Sequence, residues 1–351
     1  MQNIGNRLLN QCVAHYVLNY LHKTDFKKTG SPKNTSAWRY LRLSDIPEGT
    51  NPSQLGELAK NTALHLRKRV LGNKPNQSMR SIVRDHPELS PMLGHGAQAW
   101  LILSYAESLQ KIFEIDNGTL LYGLNKGTYR NIAENVIAAR LMFANASQRL
   151  AQKMYEVYGP IGNQVVFVEG GAGNGAATLT TLKEFHSHGL YPNFWLTDID
   201  PKTLPVAENY FRQFGNFQGH HFPWSQLDIG DTSAVKSLLG SFPGFKTVFN
   251  VNFIVHEYET IANKFFKAMS SSPETDLVVS EFFLPEGYPD CDPDPDFPWW
   301  FVFLHELSDQ YLRTENQFLK IAKKHGYYCT SRLDHQIHNN HPVTSSLFLN
   351  K

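Results

Sequence analysis

The sequence predicts an α/β chain in which a helical N-terminal cap domain precedes a parallel sheet flanked by helices. Three observations carry this. From Val165 onward short apolar runs alternate with longer amphipathic segments, the signature of consecutive strand and helix units. Upstream of Tyr158, apolar residues recur at helical spacing between polar loops. Between the two regions Gly159 and Pro160 break the pattern, which places a cap over residues 1–158 and a catalytic domain over residues 159–351.

In the cap, Leu8, Leu9, Val13, Val17, Leu18 and Leu21 mark a first helix, Pro52 to Val70 a second, Gly96 to Phe113 a longer one and Tyr129 to Tyr158 a last. In the second region the expected strands are VVFVE, FWLTD, TVFNVNF and DLVVSEFF, a short one before Leu227, and a late pair around YYCTSRLD and TSSLFLN. Residues 288–300, YPDCDPDPDFPWW, carry prolines and four aspartates that exclude regular structure and read as a solvated lid. His335, His338 and His341 fall in what reads as a hairpin loop, a poor place for a metal site.

A chain of 351 residues accommodates two such units. Hydrophobic residues make up 41%, enough for a substantial core, and 33 basic against 32 acidic residues give no overall field to attract nucleic acid or an anionic membrane. A small-molecule substrate is the expectation. Cys12, Cys291 and Cys329 lack the spacing of a zinc site or a disulfide framework. The first residues, MQNIGNRLLNQCVAHYVLNYLHK, interrupt their apolar positions with polar ones, unlike a signal peptide, so a cytoplasmic location is expected. The N-terminal helices are a candidate homodimer surface.

The chemistry concentrates at strand ends. VVFVEGGAGNGAAT runs from a buried strand into Glu169, Gly171, Gly173 and Gly175 and then into a helix, where glycines permit a tight turn and close backbone approach to a ligand. Dinucleotide enzymes use a similar loop, so its neighbours matter. The next strand ends in TDID, setting Asp198 where a ribose diol would sit. Further on, WSQLDI sets Asp228 where a carboxylate can accept from an adenine amino group, with Ile229 beside it. After the fourth strand, NVNFIVHE puts Asn252 and His256 at the ligand-binding edge of the sheet, and Glu281 closes the fifth strand at the same edge. A His and a carboxylate on adjacent strand ends make a general base, the carboxylate fixing the imidazole tautomer.

An acidic glycine-rich loop followed by TDID and LDI resembles the class I S-adenosylmethionine (SAM) dependent methyltransferases. The resemblance implies a Rossmann-like sheet with SAM as cofactor. The competing readings are a nicotinamide-binding domain and a merely structural turn. From HPELSPMLGHG through NFIVHE, and over residues 80 to 330, the chain is similar to the carbon-methyltransferase domains of polyketide synthases and their free-standing relatives. In these the His after the fourth strand and the Glu ending the fifth act together as base, which maps onto His256 and Glu281. Plant-type O-methyltransferases also place a His here, followed by Asp and Trp where this chain has Glu257 and Tyr258. One departure is Gly170, where a bulkier apolar residue is usual and which is expected to loosen the backbone path.

Three functions follow. The first is methyl transfer to the carbon or oxygen of a small molecule, in specialised metabolism. The second keeps the SAM site but acts on the aminocarboxypropyl arm, as azetidine-carboxylate synthases do, releasing methylthioadenosine. The third is a SAM-binding regulatory protein without catalysis.

Overall fold

The structure is a computed structural model that describes residues 146–351, apart from residues 174, 202, 215–222, 257, 258, 273, 293, 295, 296, 308, 309, 339 and 340. The helices expected upstream of residue 146 and the N-terminal dimer surface lie outside the described residues. The chain divides into two compact units: Phe143–Tyr288 with Tyr311–Lys351 form one, and Pro289–Gln310 belongs to the other.

The first unit is built on an eight-stranded sheet. A helix over residues 146–158 (α1) leads through a 3-10 turn, Gly159–Gln164, into β1 (Val165–Gly170). There follow α2 (Ala176–Ser187), β2 (Asn193–Asp198), α3 (Thr203–Phe214), β3 (Trp224–Gln226), α4 (Thr232–Leu239), β4 (Lys246–Asn252), α5 (Ile261–Ser270) and β5 (Asp276–Leu284). The other unit supplies α6 (Trp299–Leu307). Back in the first unit come β6 (Arg313–Thr314), α7 (Glu315–Lys324), β7 (Tyr328–His338) and β8 (His341–Asn350). The predicted strands are all present.

The strand order is β3-β2-β1-β4-β5-β8-β7, with β6 beside β5. β1 to β5 are parallel, whereas β8 runs antiparallel between β5 and β7. Every residue of β1 and of β5 is buried, which is why their sequences are nearly unbroken apolar runs rather than alternating ones. After β3 the chain crosses back to pair β4 on the free side of β1, so the β1–β4 junction is the topological switch point where doubly wound sheets bind ligands.

Two apolar layers cover the sheet. On one face Val166, Val168, Phe249, Val251 and Val279 pack with Val235 of α4, Phe265 and Phe266 of α5 and Phe318 of α7. On the other, Val165, Phe167, Val248 and Val278 pack with Leu150, Met154 and Tyr158 of α1, Leu179 and Phe185 of α2 and Phe211 of α3. Helix starts are fixed locally: the Asp231 side chain accepts from Ser233 and Ala234 N–H at α4, and Thr314 and Gln317 form a capping box at α7.

Two expectations change. The C-terminal histidines lie on paired strands: His335 and His338 are in β7, and His338 is opposite His341 of β8, because the ladder runs on to the turn. His335 is drawn inward, its Nε2 lying 2.6 Å from Ser346 Oγ, and burial pushes its pKa down to about 4. In the proline-rich segment, Asp290 and Asp292 are exposed, but Phe297 and Trp299 are buried and the Trp299 indole donates to Asp294 O at 2.6 Å.

Gly170 does not loosen the chain. It stays in register between Thr197 of β2 and Val251 of β4. A Cβ there would lie 2.6 Å from Phe249 Cε1 and 2.8 Å from Val251 Cγ1, so neighbouring side chains occupy the space a larger residue would take. Gly170→Val should therefore lower unfolding stability by about 1–3 kcal/mol through overpacking. The double variant with Phe249→Leu should recover part of that loss in urea denaturation. An unchanged midpoint for Gly170→Val would show that the space is empty.

Candidate active site

The site grows from the turn after β1. Gly171, Gly173 and Gly175 all have positive φ, at 65°, 53° and 71°, a region open to glycine at no steric cost. Two of them are also crowded: a Cβ at Gly171 would lie 2.7 Å from Ile254 Cδ1, and one at Gly175 would lie 3.0 Å from Phe211 Cζ. At Gly173 a Cβ would meet nothing within 4 Å among the described residues. The loop is thus packed on its two flanks and open at its middle, a cradle whose α2 amides begin immediately beyond.

Beneath the cradle lies Glu169, 5% exposed. Its Oε2 accepts from Asn250 Nδ2 at 2.7 Å and Thr178 Oγ1 at 3.1 Å, and its Oε1 from Asn252 Nδ2 at 2.7 Å. Burial pushes its carboxyl up to about 7, against the lowering pull of these three donors. Asn252 is thereby brought to Glu169 as part of one cluster. Asn250 and Thr178 were not singled out from sequence; the usable signal was a polar residue two positions before Asn252 in an otherwise apolar strand.

Asp198 ends β2 and is 8% exposed. Its Oδ2 accepts from Gly173 N–H and its Oδ1 from Asp200 N–H, each at 2.9 Å, which ties the β2 end to the middle of the glycine loop. Burial raises its pKa, and the hydrogen bonds from Asp200 and Gly173 oppose the shift. Each carboxylate oxygen keeps acceptor capacity beyond these single bonds. The next residue, Ile199, is an apolar side chain 62% exposed, another site-edge residue not singled out from sequence. Asp228 follows β3: its peptide neighbour Leu227 donates to Asp198 O at 2.9 Å, and its exposed side chain accepts from Gly230 N–H at 2.8 Å. Ile229 points elsewhere, its side chain buried in the core beside Gly170.

The third part starts at Phe253, which has φ 58° and is the non-glycine residue with positive φ among those described. Such a backbone is strained for a bulky residue and costs on the order of 1–3 kcal/mol. The kink turns the chain between two anchors. Asn252 before it reaches Glu169, and Val255 N–H after it donates to Glu281 Oε1 at 2.7 Å. His256 Nδ1 then lies 2.7 Å from Glu281 Oε2, with both side chains buried. Glu281 therefore favours the tautomer with its proton on Nδ1, leaving Nε2 as the basic nitrogen.

The structure brings the site residues into three linked groups: Glu169 with Asn252, Asp198 with Gly173, and His256 with Glu281. No family model and no curated protein matches the chain. Among solved structures it is similar to the CMeT domain of the citrinin polyketide synthase, with TM-score 0.60 and 13% identity over 99% of this chain and 89% of that one. It is similar also to the CurJ carbon methyltransferase, with TM-score 0.53 and 14% identity over 99% of this chain and 91% of that one. The fold is that of the class I methyltransferases, with the Rossmann-like sheet that the strand pattern and the resemblance implied. Among the described residues no helix is long and apolar enough to cross a membrane.

The Glu169 cluster makes a pH prediction. Its folded-state pKa, about 7, lies above the ordinary 4.5, so the contribution of the protonated group is fully present below 4.5 and is lost as pH rises through about 7. Between pH 5 and pH 8 the chain should lose stability relative to Glu169→Gln by on the order of 2 kcal/mol. Urea denaturation at both pH values checks it, and parallel pH slopes would contradict it.

Proposed function

We propose that the chain is a SAM-dependent methyltransferase acting on the carbon or oxygen of a small molecule. The observation that carries the reading is the 2.7 Å contact between His256, in the loop just beyond β4, and Glu281, within the neighbouring strand β5. The residues present fit the cofactor. Gly173 leaves backbone open to close approach, Asp198 has acceptor capacity for the two hydroxyls of a ribose, and Ile199 and Asp228 offer an apolar face and an acceptor for an adenine and its amino group. Glu169 and Asn252 form the polar floor. When bound, SAM supplies an activated methyl group to an acceptor that has lost its proton.

The chain's own part is that deprotonation. Glu281 accepts a hydrogen bond from Nδ1–H and stabilises positive charge on the ring, so Nε2 takes the proton of a weakly acidic hydroxyl or carbon acid. A base with this support suits acceptors that are not nucleophilic until ionised. Cyclisation of the aminocarboxypropyl arm would also draw on a base, because its amine is an ammonium until it loses a proton, so the nucleoside product is what separates the two reactions.

Purified chain incubated with SAM alone should form no methylthioadenosine above the spontaneous rate, and S-adenosylhomocysteine should appear only with a suitable acceptor. Methylthioadenosine from SAM alone would overturn the proposal in favour of the arm-transfer chemistry; SAM binding without either product across acceptors would favour a regulatory role. His256→Ala should lower kcat about 10²–10⁴-fold while leaving SAM affinity unchanged within threefold.

A further inference from the structure

The backbone of the loop that carries His256 is held by a residue far away in sequence. Arg313, in β6 and buried, donates from Nη1 to Tyr311 O at 3.0 Å and Val255 O at 3.4 Å, and from Nη2 to Glu259 O. One residue pair earlier, Tyr311 N–H donates to His256 O at 2.7 Å. Three carbonyls of the 255–259 loop, at Val255, His256 and Glu259, are thus captured by the segment 311–313. The Arg313 guanidinium also sits over the Tyr311 ring, its Cζ 4.7 Å from the centroid. β6 itself is anchored beside β5, with Arg313 opposite Phe283, two residues beyond Glu281.

Val255 is consequently clamped at both ends of its backbone. Its N–H goes to Glu281 and its C=O to Arg313. Burial lowers the Arg313 pKa, and the negative charge of Glu281 opposes that shift. A guanidinium suits the task because its fixed, planar fork can serve several carbonyls at once, which the single ammonium of lysine cannot do in the same geometry.

We propose that Arg313 is the positioning residue for His256, holding the backbone at Val255 and Glu259 so that Glu281 engages Val255 N–H and His256 Nδ1 together. This rests on His256 being the base, but its test does not require turnover. The full chain, labelled with ¹⁵N-histidine, is observed by proton NMR for the far-downfield Nδ1 proton of a histidine bonded to a carboxylate, assigned by its loss in His256→Gln.

The native chain should show this proton. In Arg313→Lys, folded by circular dichroism and with SAM affinity within threefold of native, it should disappear or exchange with water at least tenfold faster. An unchanged proton in Arg313→Lys, alongside a lowered denaturation midpoint, would make Arg313 a structural residue only and overturn the proposal. Absence of the proton in the native chain would overturn it too. If Arg313→Lys does not fold, Tyr311→Pro, which deletes the N–H on the His256 carbonyl, provides the same readout: faster exchange supports the clamp and an unchanged proton refutes it. A chain with the proton but without methyl transfer would refute the proposed reaction and leave the Arg313 assignment standing.

Discussion

A carboxylate removed from water at the end of β1 is the constraint on which the site depends. Burying Glu169 is costly unless its oxygens are hydrogen-bonded, and the donors that satisfy it come from different places: Asn250 and Asn252 on β4 and Thr178 on α2. The first strand, its neighbour across the switch point and the helix after the glycine loop are therefore tied at one point. Removing the carboxylate would leave three donors unpaired, each costing about 1–3 kcal/mol where it stays buried. Among the described residues Asn250 Oδ1 is buried without a hydrogen-bond partner, the one imperfection in the cluster.

From that point the geometry propagates along β4. Asn252 is fixed by Glu169, Phe253 takes a strained turn, and the Ile254 side chain packs closely over Gly171. Val255 and His256 then meet Glu281 within the neighbouring strand β5. Five consecutive residues thus connect the floor of the glycine cradle to the proposed base. The strain at Phe253 is sustained because both flanks are held, and a change on either flank would be felt on the other.

Much of this was legible in the sequence because the signals are local. Buried parallel strands read as apolar runs, the glycine turn has its own composition, and strand-end acids and His256 follow from counting along each strand. What was not legible depends on pairing across the chain. Asn250 meets Glu169 from 81 positions away, and Arg313 meets Val255 from 58 away. Gly170 looked like a weak point because the Phe249, Val251 and Ile229 side chains that fill its space belong to other strands and loops. His335 looked like a loop residue because a bulged strand hides its two-residue alternation.

If the bond between Asp198 and Gly173 joins the β2 end to the β1 loop, the two form one cofactor site. Calorimetric titration of SAM into the native chain and into Asp198→Ala tests it most directly. Saturable one-site binding to the native chain is expected, with an affinity at least tenfold weaker, about 1.4 kcal/mol, in the variant. Equal affinity in the two proteins, or no binding to the native chain, would contradict it.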